Sequence, residues 1–244
     1  MHETTSSRVL VTELTDGVLT LTLNRPDARN ALSPDLVTAL DEALSRFEED
    51  DAARVAVITG SGRAFCAGLD LKVFAAADAD RRTVGALIRR FGRLSKPLVG
   101  AVNGPAVAGG LELALGCDFL IGGPQAMFAD THVKIGAFPG GGMTARLSRA
   151  VGTRTAKAMS LGGVRLDAQA ALRAGLLSEL VDAEELVTRA RTIAGNIATA
   201  RQELVAIVRK LYDENADRSL DDALAFEEAE LRRWRENQRL NWSV

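Results

Sequence analysis

The chain has 244 residues, 47% hydrophobic and 25% charged, enough to bury a full core as one large α/β unit or one domain with an appendage. Its 30 basic and 32 acidic residues leave a net charge of -2, which supplies no overall field toward nucleic acid or anionic lipid. No run reaches the roughly 18 apolar residues of a membrane span. The opening "MHETTSSRVL" lacks the charged start and apolar core of a signal peptide, and Cys66, Cys117, His2 and His132 match no disulfide framework or metal-ligand spacing. A soluble, cytoplasmic protein is expected, with no nucleic-acid, membrane or metal partner.

In chain order, "VLVTELTDGVLTLTLN" reads as two alternating strands about an Asp16-Gly17 turn, since Asp-Gly accepts the positive φ of a tight hairpin. Ser33 is placed as an N-cap before Pro34, and Leu36, Leu40, Ala43, Leu44 and Phe47 recur at helical spacing. "RVAVITG" is an apolar strand. The chain then runs through "SGRAFCAGLDL" into a helical stretch containing "RRTVGALIRRFGRL". "KPLVGAVNG" gives the next strand, followed directly by a short helix, and then "CDFLIGG" and "AMFAD" give further short strands.

Apolar strands alternating with helices favour a largely parallel sheet covered on both faces. Beyond "FPGGGMTARL" only helices are predicted: Ala145 to Val151, Thr153 to Leu161, Asp167 to Ala174, Ala183 to Ala198, and a charged tail from Leu220 to about Gln238. The pattern shifts near residue 180. This sets an α/β core over residues 1–180 apart from a helical region over 181–244.

The stretch "GPAVAGGLELALGCD" is small and apolar until Glu112. Gly109 and Gly110 at a helix start permit close backbone approach and leave amide N–H groups free at the positive end of the helix dipole. Glu112 lies three residues on, on the same face, about 5 Å along the axis. Its neighbours Leu111, Leu113, Ala114 and Leu115 predict a carboxylate against apolar walls with a raised pKa, suited to proton transfer. A solvated first-turn acid is the alternative. A second glycine turn, "FCAGLDL", leaves a strand at what would be its carboxyl end, where α/β sheets place ligands. No G-x-G-x-x-G, P-loop or G-x-S-x-G motif is present, which argues against dinucleotide binding, nucleotide hydrolysis and a common serine hydrolase.

In order, "LTLNRPDARNAL", "GSGRAFCAGLDL", "KPLVGAVNGPAVAGGLELALGCDFLI", "FADTHVKIGAFPGGGMTARLSRAVG" and "AMSLGGVRLDAQAALRAGLLSELV" resemble the crotonase, or enoyl-CoA hydratase/isomerase, superfamily over about residues 18 to 182. The resemblance implies a crotonase-like α/β spiral of β-β-α units with a C-terminal helical region used in trimerisation. It implies a homotrimer or hexamer acting on an acyl-CoA substrate, the coenzyme A thioester, without metal or other cofactor. It assigns the backbone amides of Leu69 and Gly109 to an oxyanion hole. Arg25, Ala28, Ala67, Asp70, Leu71, Lys72 and Gly110 fall near the coenzyme and substrate.

The resemblance also makes Glu112 the first of the two hydratase glutamates, the one that activates water for addition at C3. The second glutamate normally follows a proline, but here His132 follows Thr131. An imidazole can do either proton-transfer task. In an extended segment Asp130 would project to the same side as His132 and orient its ring. Hydration of a 2-enoyl-CoA is the leading expectation. The alternatives are another family reaction (isomerase, thioester hydrolase or carbon-carbon lyase) or a non-catalytic acyl-CoA binder, with His132 merely lining the pocket.

Overall fold

A computed structural model of the chain describes residues 3–6, 9–77 and 82–241. His2, Arg81 and the last three residues of the C-terminal stretch lie outside these. The chain divides after Thr199 into two compact units, later than the change of pattern near residue 180, because the helix ending at Thr199 packs on the sheet of the first.

The first unit is built on a seven-stranded sheet. Strand β1 (Glu3–Ser6) pairs antiparallel with β2 (Leu10–Thr15), and β2 with β3 (Val18–Leu23). Thr15 faces Val18 across the two-residue turn, where Asp16 and Gly17 both have positive φ, as the Asp-Gly pair predicts. Helix α1 (Pro34–Glu49) begins at Ser33, whose hydroxyl accepts from the Leu36 amide, and it buries the predicted stripe from Leu36 to Phe47.

Strand β4 (Val55–Gly60) then extends the sheet in parallel. The single predicted helical stretch that follows is two helices, α2 (Leu71–Ala77) and α3 (Arg82–Phe91). After β5 (Leu98–Val102), a short β6 (Pro105–Val107) precedes helix α4 (Gly109–Ala114), followed by β7 (Phe119–Gly122) and β8 (Met127–Ala129).

Beyond residue 140 the helices are α5 (Met143–Val151), α6 (Thr153–Gly162) and α7 (Ala168–Arg173). Two short strands interrupt this region, contrary to the helix-only expectation: β9 (Arg165–Asp167) before α7 and β10 (Glu179–Leu180) after it. Segments of two or three residues are too short to display alternation, and pairing partners far away in the chain set them. The large sheet runs β1-β2-β3-β4-β5-β7-β10, parallel from β3 onward, and β6, β8 and β9 form a separate three-stranded sheet.

Both faces of the parallel part are covered, which explains its continuous apolar strands. Helix α8 (Leu186–Thr199) sets Leu186, Ala190, Ala194 and Ala198, spaced four apart, against Val55, Val57, Val99 and Ile121. The alternate strand residues Ala56 and Ile58 turn to the other face, among Leu36, Leu40, Leu44 and Phe47. Complete burial of a side chain such as Phe47 contributes on the order of 1.5–3 kcal/mol. This rigid layer supports the two loops that follow β4 and β6, where the site lies.

The second unit holds α9 (Gln202–Asn215), which is not among the predicted helices, and α10 (Leu220–Asn241). Leu204, Ile207 and Leu211 line a groove with Leu224, Leu231 and Trp234, and Lys210 pairs with Glu230 at 3.1 Å. No helix among the described residues is long and apolar enough to cross a membrane.

Candidate active site

Two glycine turns meet at the mouth of a cavity of about 570 Å³. Gly68 has φ 87°, and a Cβ there would stand 2.8 Å from the Val107 carbonyl and 3.2 Å from the Gly109 nitrogen. The turn after β4 is thus pressed onto the start of α4. Ala108, the residue before that helix, has φ 49° and ψ -116°, a costly conformation for a side-chain-bearing residue. It is held by its amide, which donates to the Ala129 carbonyl, and by its carbonyl, which accepts from the Glu112 amide, each at 2.9 Å. Leu69 and Gly109 both line the cavity, and neither amide has a protein acceptor among the described residues. Two unpaired donors side by side suit an oxygen that gains negative charge.

Glu112 is 3% exposed and lines the same cavity. Its surroundings are not apolar walls alone, as its sequence neighbours predict. Oε1 accepts from the amides of Gly141 (2.8 Å) and Met143 (3.1 Å), supplied by the loop leading into α5. A Cβ at Gly141 would stand 2.6 Å from Oε2 and from the Ile88 side chain, so any larger residue there would have to displace the carboxylate or Ile88. With Oε1 occupied, Oε2 is the oxygen toward the cavity's second titratable group. Behind it, Arg146 on α5 has its pKa lowered, first by burial and also by Arg93, with partial offset from the Glu112 charge.

His132 is 8% exposed, and its Nε2 lies 3.8 Å from Glu112 Oε2. That separation is too long for a direct hydrogen bond and short enough for one small group to contact both. The segment is not extended, contrary to expectation. His132 has φ -56° and ψ -52° and opens a single 3-10 turn, Val133–Ile135. Asp130 still reaches the ring, because its Oδ1 accepts the His132 backbone amide at 3.0 Å and contacts Nδ1 at 2.7 Å. The backbone contact two residues on is a local turn that brings the side chains together without a strand. Oδ2 accepts from the Ser160 hydroxyl at 2.6 Å.

Burial pushes the Asp130 carboxyl up. The hydrogen bonds from Ser160 and from the His132 backbone and ring, with the ring's charge, outweigh it and hold the pKa below the usual value. A depressed folded pKa contributes stability above the unfolded value, near 3.9, and that contribution is lost as pH falls through the folded value. Urea unfolding is therefore expected to show an acid-side loss of stability that Asp130→Asn reduces. An acid limb unchanged by the substitution would contradict this.

Of the other predicted site residues, Ala67 and Leu71 line the cavity, while Arg25, Ala28, Asp70, Lys72 and Gly110 do not. Arg25 and Asp70 bind each other at 2.9 Å, and Arg25 also donates to the Ala31 carbonyl. Asp70 in turn accepts from the Val73 amide at the start of α2. The pair clasps two loops instead of standing free for a ligand. Lys72 is exposed on the first turn of α2. Gly110 serves packing: a Cβ there would stand 2.0 Å from the Cys66 carbonyl oxygen. Ser160, Gly141 and the Met143 amide were not legible as site groups, since each acts across some thirty residues of chain.

Both cysteines are free, and burial pushes the Cys66 thiol up to about 12, leaving no thiolate nucleophile there. Among the described residues no group of three or more His, Cys, Asp or Glu could hold a metal ion.

The cavity thus gathers two amides without protein acceptors, a buried carboxylate and a histidine held by an aspartate, groups suited to proton transfer beside an oxygen that gains charge. A family model for enoyl-CoA hydratase/isomerase matches residues 13–241, and the chain belongs to that family. It is 38% identical over 219 residues to a probable mitochondrial enoyl-CoA hydratase of Dictyostelium discoideum, covering 88% of this chain and 79% of that protein. It is 34% identical over 224 residues to a short-chain-enoyl-CoA hydratase of Clostridium acetobutylicum, covering 89% and 86%. Among solved structures, an enoyl-CoA hydratase from Mycobacterium smegmatis aligns with a TM-score of 0.76 at 42% identity, covering 95% of this chain and 100% of that one.

Proposed function

We propose that the protein is an enoyl-CoA hydratase, adding water across the C2=C3 bond of a 2-enoyl-CoA thioester with no separate cofactor. The observation that carries this reading is the 3.8 Å approach of Glu112 Oε2 and His132 Nε2 in a cavity bordered by the amides of Leu69 and Gly109. The thioester oxygen would sit between those amides, which draw charge onto it as C3 becomes electrophilic. A water held between Oε2 and Nε2 attacks C3 and gives a proton to Glu112. The protonated ring of His132 delivers a proton to C2 of the enolate. Transfer from Glu112 back to His132 restores both groups, so the net change is one water added. Asp130 keeps Nδ1 engaged and balances the ring's charge.

An adjoining cavity of about 730 Å³ shares Ala67 and Thr131 with the first and carries Arg29, Arg63 and Arg165. Three guanidinium groups suit the coenzyme phosphates better than the paired Arg25. The relatives named as enoyl-CoA hydratases support the same substrate class. A homotrimer or hexamer is proposed for the assembly, supported by the exposed apolar side chains Val208, Leu220 and Leu224 of the second unit, and light scattering would give its mass. The free cysteines support a reducing compartment, the cytoplasm.

The test is the ultraviolet absorbance of the conjugated enoyl thioester on mixing short-chain 2-enoyl-CoA with the protein. A catalytic decline accompanied by 3-hydroxyacyl-CoA supports hydration. An unchanged spectrum across short, long and aromatic acyl chains overturns it.

A further inference from the structure

We propose that Ser160 is a positioning residue for the site, fixing His132 through Asp130. The inference rests on the reading of His132 as the second proton-transfer group. Its basis is the division of labour between the two Asp130 oxygens. Oδ1 is occupied by the backbone amide and Nδ1 of His132, and Oδ2 by the Ser160 hydroxyl at 2.6 Å. An ionised carboxylate only accepts, so the serine must spend its single proton on Oδ2 and the ring must carry its proton on Nδ1. Nε2 is then the nitrogen left toward Glu112, 3.8 Å away. Asp130 is 3% exposed, so no bulk water stands ready to replace the serine.

The serine comes from a helix tied to the other half of the site. Ser160 lies on α6, which packs against α5, and α5 begins with the Met143 amide that holds Glu112. One helical pair thus anchors both members of the acid-base couple from outside the cavity. Ser160 does not itself line the cavity. Loss of its hydroxyl would leave Oδ2 without its donor and allow the carboxylate, and with it the ring, to take more than one orientation. Partners of this kind typically change activity by about 10–100-fold when removed in metal sites, where the same carboxylate-histidine arrangement operates.

The test uses the full chain with nitrogen-15-labelled histidine. The two histidines are His2 and His132, so His132→Ala identifies the ring signals. Wild type is expected to show one Nδ1-protonated tautomer when the ring is neutral. Ser160→Ala is expected to give mixed or averaged ring signals and to lower kcat about 10-fold, with KM changed less than about 2-fold. Ser160→Thr, which retains the hydroxyl, should restore both. Ser160→Ala combined with His132→Ala should be no slower than His132→Ala alone.

Wild-type ring signals in Ser160→Ala would overturn the proposal, whether or not the rate falls. So would a further fall in the double variant. Full hydration by His132→Ala would defeat the reading of the reaction instead, and the ring spectrum would still decide whether Ser160 fixes His132.

Discussion

Glu112→Gln is expected to lower turnover of a 2-enoyl-CoA at least ~100-fold, the lower end of what a general acid-base group supplies. The substitution is nearly isosteric. Its amide oxygen can still accept from Gly141 and Met143, which now hold Oε1, so the loop into α5 keeps its anchor. What is lost is the ability to take a proton from water at the position 3.8 Å from His132. KM should therefore change little while kcat falls. Steady-state kinetics with a thermal-unfolding control would measure this. A rate within a few fold of wild type would remove Glu112 from the chemistry.

His132→Ala is expected to abolish most hydration, again by at least ~100-fold, with thioester affinity largely retained because the Leu69 and Gly109 amides remain. It also removes the Nδ1 contact from a buried carboxylate whose other ties are the His132 backbone amide and Ser160. A stability loss of about 1–3 kcal/mol should accompany the change, from desolvation no longer offset. Binding of the substrate coenzyme A ester, measured by calorimetry beside the rate, separates the two effects. An unchanged rate would make His132 a structural residue.

The sequence made Glu112 conspicuous because a carboxylate interrupts an otherwise small, apolar run, and the glycines before it indicated a close backbone approach. It did not name those partners, which lie about thirty residues on, in a glycine loop whose chemistry is carried by backbone amides. Asp130 and His132 were legible as a pair on an assumption of extended geometry. They meet instead through a local turn just before the 3-10 turn, in which the Asp130 carboxylate accepts the amide two residues ahead. Arg25 and Asp70 were each legible as polar residues near the site. Their mutual ion pair spans 45 residues of chain and could not be read from local pattern. Ser160 gives no local signal at all, since one serine in a helix is recognisable as a partner only when α6 is placed beside the loop after β8. The fold was clearer where strands were long and apolar, and β9 and β10 escaped because pairing, not periodicity, makes them strands.

In the proposed reaction Glu112 and His132 jointly add water to C3 of a thioester-activated double bond. Mass spectrometry of short, long and aromatic 2-enoyl-CoA substrates incubated with the protein in oxygen-18 water tests it most directly. The expected result is a 3-hydroxyacyl-CoA carrying one labelled oxygen at C3, formed by wild type and strongly reduced in both Glu112→Gln and His132→Ala. Label appearing only in released free acid would make the site a thioester hydrolase, and hydration undiminished in either variant would contradict the proposed pair.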